Sequence, residues 1–254
     1  MRLRQVALIA HRIEPVAQAL ETIFGLQVAF RDPAVGVFGL ANVVMPVGGD
    51  FVEVLEPIDV GASGARYLAR RGGDAGYMVI LQTDDALAHR VRLAAAGVRV
   101  IAARDHGRYR FTHFHPGDCA GVLMSIDSVE GGDWREAASD WPPAGERWRD
   151  FAGATSLGLA GVTIQARDPV AAAERWSMLL DRPVSSTAGA LELALDHGTI
   201  RFVAPVDADG TGVVGLDILV ADPASVLARA EAAGAASRDG AVTICGTALK
   251  PLAG

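Results

Sequence analysis

Phe111–Asp127 reads FTHFHPGDCAGVLMSID. The stretch predicts strand, tight turn, strand. Arg108–His115 extends, Pro116-Gly117-Asp118 breaks the chain, and Val122–Ile126 resumes it. Alternate side chains of a strand share a face. Ser125 therefore joins Leu123 and Asp127 on one side, with Met124 and Ile126 on the other.

The hairpin ends a longer pattern. Tyr77–Thr83 is strand-like, and Ala86–Ala96 carries Leu87, Val91 and Ala94 at helical spacing before Gly97. Val98–Ala102, Arg108–His115 and Gly121–Asp127 then supply three strands. The same order precedes it. Leu3–Ala10 predicts a strand, and Ile13, Val16, Ala17, Leu20 and Phe24 a helix closed by Gly25. Leu26–Phe30, Val35–Val47 and Asp50–Glu56 predict three strands. Gly61–Arg71, between the two units, predicts a helical turn or two.

The order returns twice after residue 157. Asp168-Pro169 and Asp222-Pro223 each pair an N-cap with proline at the first helical position. The chain thus repeats a βαβββ unit of about fifty residues four times. Residues 129–156 interrupt the repeat with Trp134, Trp141, Trp148 and two prolines. Tryptophans at that density predict a connector packed against the protein.

Half the residues are hydrophobic and 21% are charged, which fits a globular chain with a real core. The net charge of -7 disfavours nucleic acid and anionic membranes as partners. Two cysteines give no disulfide framework, and no apolar run is long enough to span a bilayer. The N-terminus lacks a signal-peptide cleavage pattern, so a soluble, cytoplasmic protein is expected.

The hairpin residues Phe114, His115, Pro116, Asp118, Cys119, Gly121, Val122 and Leu123 resemble the last hairpin of methylmalonyl-CoA epimerases. Phe51–Pro57 and Gly73–Val100 are similar to the same family's sequence. These enzymes belong to the vicinal-oxygen-chelate superfamily, with glyoxalase I, extradiol dioxygenases and bleomycin-resistance proteins. The resemblance implies an α+β fold in which four βαβββ modules form two paired glyoxalase-like cups. It implies domains at residues 1–128 and 157–254, the second degenerate. It also implies one divalent-metal ligand from the first and last strand of each module. Those positions are Gln5, Glu53, Met78 and Ser125. Only Glu53 is a strong ligand for a hard cation, and a family glutamate is replaced by Ser125. No metal ligand is assigned, and no cofactor is expected with certainty. In the second half the matching positions are Gly161, Arg201, Gly215 and the Gly246–Leu249 region, which hold no ligand set.

The residues leave two functions open. One is an isomerase, lyase or dioxygenase with an altered or lost metal site, in which Glu53 is the catalytic base. The other is a non-catalytic small-molecule-binding protein of the resistance type. In both, a small carbonyl- or carboxylate-bearing ligand occupies the N-terminal cup. Its binding set is Gln5, Met78, Arg108, Arg110, His113, His115 and Ser125. Arg108 and Arg110 are candidates for an oxyanion clamp. His115 doubles as a turn residue and Glu53 as an ordinary strand carboxylate. His106 and His197 sit beside glycines in expected turns. Homodimerisation is left open.

Overall fold

The computed structural model describes all residues except 106 and 188, so the turn expected at His106 lies outside the described residues. The first half runs β1 (Arg2–Ile9), α1 (Ile13–Phe24), β2 (Leu40–Val47), β3 (Asp50–Pro57), α2 (Ser63–Arg71), β4 (Ala75–Gln82), α3 (Ala86–Ala95), β5 (Val100–Arg104), β6 (Tyr109–Phe114) and β7 (Leu123–Val129). The second half runs β8 (Ser156–Gln165), α4 (Pro169–Leu180), β9 (Val184–Thr187), β10 (Ala190–Ala194), β11 (Thr199–Val203), β12 (Gly212–Val220), α5 (Pro223–Ala232), β13 (Ser237–Arg238), β14 (Ala241–Ile244) and β15 (Thr247–Ala253). The four modules and the α+β class are as expected from the repeat.

The helices start and stop where the chain supplies caps. Asp168 accepts from the Ala171 amide, and Asp222 from those of Ala224 and Ser225, each followed by proline. Gly25 ends α1 at φ 69, where a side chain would be strained. The buried stripe of α1 is Ile13, Val16, Ala17, Leu20, Ile23 and Phe24.

Strands order as β2-β3-β1-β4-β7-β6-β5 in one sheet and β13-β14-β15-β12-β8-β11-β10-β9 in the other. Within each sheet two modules meet through an antiparallel pair, β1 with β4 and β8 with β12. The helices and the outer faces of both sheets share one core, from Leu8 and Val79 to Ile164 and Leu216. The sheets approach closely at Gly76, where a Cβ would lie 2.5 Å from the Val213 carbonyl oxygen. Deep in that junction Asp50 accepts from Arg2 Nη2 at 2.5 Å and from the Leu159 amide at 2.9 Å, with His197 Nε2 at 3.0 Å.

Two local expectations need correction. Leu26–Phe30 forms no strand, only an isolated bridge between Phe30 and Val44. β2 begins at Leu40 because Pro33–Phe38 winds into a 3-10 helix. Asp32 caps it through the Ala34 amide, Pro33 opens it, and Gly39 at φ 69 closes it. Residues 61–71 supply more than a turn or two: α2 is nine residues long. The tryptophan-rich connector does pack, with Trp134, Trp141 and Trp148 all buried.

Candidate functional site

Two adjacent rungs cross the concave face of the first sheet. In one, Phe51, Gln5, Ile80, Ser125 and His113 lie side by side on β3, β1, β4, β7 and β6. In the next, Glu53, Ala7, Met78 and Leu123 do so. The ladder register thus brings Gln5, Glu53, Met78 and Ser125 to the centre of one face. Val6, Val52, Val79 and Ile126 alternate into the helix-covered core.

Glu53 is the pivot. Its Oε2 accepts from Gln5 Nε2 at 2.8 Å and its Oε1 from Asn42 Nδ2 at 2.6 Å. Gln5 Oε1 in turn accepts from the Trp141 indole at 2.7 Å. Burial pushes the Glu53 carboxyl up to about 7, against the opposing pull of Asn42 and Gln5.

A second carboxyl shares the face. Asp127 Oδ2 bonds the Tyr109 hydroxyl at 2.5 Å, and Oδ1 bonds Ser125 Oγ. Burial lifts Asp127 to about 7 as well. The partners differ in kind, and that separates the two groups. Amide N–H groups only donate, so Gln5 and Asn42 favour the Glu53 carboxylate. Hydroxyls can donate or accept. Ser125 Oγ also reaches the Thr112 carbonyl oxygen at 3.2 Å, so its single proton has two acceptors. When Asp127 is protonated, its O–H can donate to Ser125 while Ser125 donates to Thr112; when it is ionised, Ser125 and Tyr109 can both donate to it.

His113 lies between Phe111 and Phe38, with ring centroids 4.6 and 5.9 Å away. Among the described residues nothing hydrogen-bonds its ring, and burial lowers it to about 4. It is a neutral imidazole with both nitrogens unspent.

Three expected binding residues are not brought to this face. Arg110 alternates to the other side of β6 with Thr112 and pairs with Glu130 at 2.7 Å. Arg108 is exposed beyond the strand and pairs with Asp140 at 3.2 Å. His115 Nδ1 accepts from the Gly117 amide at 3.0 Å, which makes it the cap of the hairpin turn. The oxyanion clamp expected from the arginines is therefore absent from the cup. Asn42, Tyr109, Asp127 and Trp141 join the site unforeseen. Period-two spacing marks two of them, since Tyr109 shares a face with His113, and Asp127 with Ser125.

The cup is partly filled by the chain itself. Trp141 and Trp148 pack on Phe51, with Arg4 5.1 Å from the Phe51 ring centroid. Tyr67 of α2 packs edge-on against Tyr77. Open concavities of about 500 and 380 Å³ lie elsewhere, at the end of α4 and between its start and the Gly117 turn. The cup is thus not the main open cavity that a bare curved sheet would make. At its centre Glu53, Met78 and Leu123 keep 5–9% exposure, whereas Val52, Val79 and Ile126 keep none.

The donors do not fit a hard divalent cation. Both Glu53 oxygens are engaged by amides, Met78 offers a thioether, and Ser125 is spent on Thr112 and Asp127. Among the described residues no three His, Cys, Asp or Glu side chains converge as a metal site requires. In the second half, Arg201 lies between Glu192 at 2.8 Å and Asp217 at 3.1 Å, while Gly161 and Gly215 hold no side chain. No helix among the described residues is long and apolar enough to cross a membrane.

Comparison with solved structures finds 4-hydroxymandelate synthase of Streptomyces coelicolor, as a triple mutant. It is 19% identical, with a TM-score of 0.69 over 92% of this chain and 75% of that one. Methylmalonyl-CoA epimerase from Mycobacterium tuberculosis aligns at 21% identity and a TM-score of 0.46, over 50% of this chain and 87% of that one. A variant of the Streptomyces coelicolor epimerase, in complex with 2-nitronate-propionyl-CoA, gives 20% and 0.47, over 52% and 99%. No curated protein matches. The synthase shares the four-module fold. The family model described as a glyoxalase-like domain matches residues 6–180. That match spans the first sheet, the connector and the start of the second half, and the chain belongs to the glyoxalase-like domain family.

Proposed function

We propose that the N-terminal cup binds a small carbonyl-bearing molecule and that Glu53 removes a proton from the carbon beside the carbonyl. This is isomerase- or lyase-type chemistry carried by side chains alone. The reading rests on one observation: a buried carboxyl lifted to about 7 and bonded by two amides, on the concave face where it keeps slight exposure. A base poised near neutral pH is matched to proton abstraction. His113 offers a neutral N–H for the oxygen that gains negative charge. The Asp127–Ser125 pair holds a proton behind it.

Deuterium exchange tests the reading. Carbonyl compounds incubated with the protein in heavy water should lose the proton beside the carbonyl, followed by NMR. Glu53→Gln should abolish that exchange and leave the circular dichroism spectrum intact. Exchange that survives Glu53→Gln would remove Glu53 from the role. Ligand binding without exchange would favour the non-catalytic alternative, which the double amide clamp on Glu53 also suits.

A further inference from the structure

We infer that the cup takes uncharged carbonyl compounds with an apolar body and rejects carboxylates and phosphates; this rests on the Glu53 reading above. The acids of the concave face are Glu53 and Asp127, and its one imidazole is neutral. Among the described residues, the guanidiniums near the cup are paired outside it, sealed off by aromatic rings, or on its exposed α2 rim. Arg4 is 5.4 Å from the Trp141 ring centroid and donates to the carbonyls of Ala137 and Ser139, so the indoles screen it from the cup. Arg108 and Arg110 pair with Asp140 and Glu130 outside the cup. On α2, Arg66 donates to the Gly61 carbonyl, and Arg70 stacks on Tyr67 at 4.9 Å near Asp209.

An anionic ligand at the centre of the face would lie in a desolvated space beside Glu53, with no guanidinium or ammonium on the two central rungs. A neutral hydroxy-carbonyl compound meets complementary groups instead. Glu53 retains lone pairs for a hydroxyl proton, and His113 can donate to a carbonyl oxygen. The rest of the surface is apolar. Met78, Ile80 and Leu123 line the face, and Phe38 lies exposed beside His113. Val37 and Ile58 extend that exposed apolar rim, which Gly39 joins by accepting the Ile58 amide at 2.9 Å.

The test uses two probes of similar size, the neutral 2-hydroxyacetophenone and the anionic benzoylformate. Calorimetric titration of the full chain at pH 7 should give at least tenfold tighter binding of the neutral probe. Glu53→Gln should narrow that ratio by strengthening benzoylformate, because it removes the repelling charge. Equal or tighter binding of benzoylformate to the wild-type protein overturns the inference and leaves the assignment of Glu53 standing. Binding of neither probe, with Glu53-dependent exchange on another carbonyl compound, also overturns the inference alone. Absence of both binding and exchange overturns the inference and the assignment together.

Discussion

Asp127→Asn should stabilise the protein by about 1–2 kcal/mol at pH 5, relative to wild type, and by about 2 to 3 kcal/mol more at pH 8. Asparagine is the closest replica of a neutral aspartic acid. Its amide can donate to Ser125 Oγ where the carboxyl proton does, and its oxygen can still accept from Tyr109. The magnitude follows from linkage. Asp127 titrates near 7 in the folded protein against an ordinary 3.8. Between those values the native state holds a proton that the unfolded chain has released, so stability falls as pH rises. At about 1.4 kcal/mol per pH unit, the whole difference costs about 4 kcal/mol, of which about 2 to 3 falls between pH 5 and 8. His113 runs the other way. Held near 4 against 6.5, it gains stability as pH rises toward 6.5, so the wild-type curve alone mixes both signs. The difference between wild type and Asp127→Asn isolates the carboxyl. Urea unfolding followed by tryptophan fluorescence at pH 5, 6, 7 and 8 measures it, because Trp141 and Trp148 report on the cup. A difference that stays flat across that range would show Asp127 to be ionised throughout, and the hydroxyl chain would have to be reassigned.

Two further outcomes are expected. The double variant Met78→His with Ser125→Glu places two good ligands on the central rungs beside Gln5 and Glu53. It should bind zinc or cobalt measurably by elemental analysis after dialysis; a metal-free double variant would mean these four positions do not converge. Trp141→Phe keeps most of the packing against Phe51 but strands Gln5 Oε1. It should cost about 1–3 kcal/mol of stability in thermal or urea unfolding, and an unchanged midpoint would mean water or another donor replaces the indole.

The modules were readable because each carries its own punctuation. Asp168-Pro169, Asp222-Pro223 and Gly25 act within a few residues, and period-two alternation set Leu123, Ser125 and Asp127 on one face. The four central positions also emerged from the repeat, since module symmetry fixes register. What was not legible depends on distance in sequence. Trp141 reaches Gln5 across 136 residues, and no local pattern announces such a contact. Arg110 was misjudged as a pocket residue although alternation already set it opposite His113; its charge invited a role that its parity denies. Leu26–Phe30 and Val35–Phe38 looked like strand by composition, but Asp32 and Pro33 start a 3-10 helix instead.

Arg71 sits at the end of α2, the helix that walls the cup, yet its guanidinium is held by Asp207 at 2.7 Å, Asp209 at 3.1 Å and the Thr211 carbonyl at 2.8 Å. All three belong to the loop before β12. The second half has Arg201, paired with Glu192 and Asp217, where the first has Glu53, yet it grips one wall of the compartment that holds Glu53. Drift in that loop is therefore not silent: a change at Asp207 or Asp209 would alter how firmly Tyr67 leans on Tyr77, and so the width of a binding space to which neither aspartate belongs. Under the proposed function, selection on the ligand would be felt at Asp207 and Asp209, outside the sheet that carries Glu53.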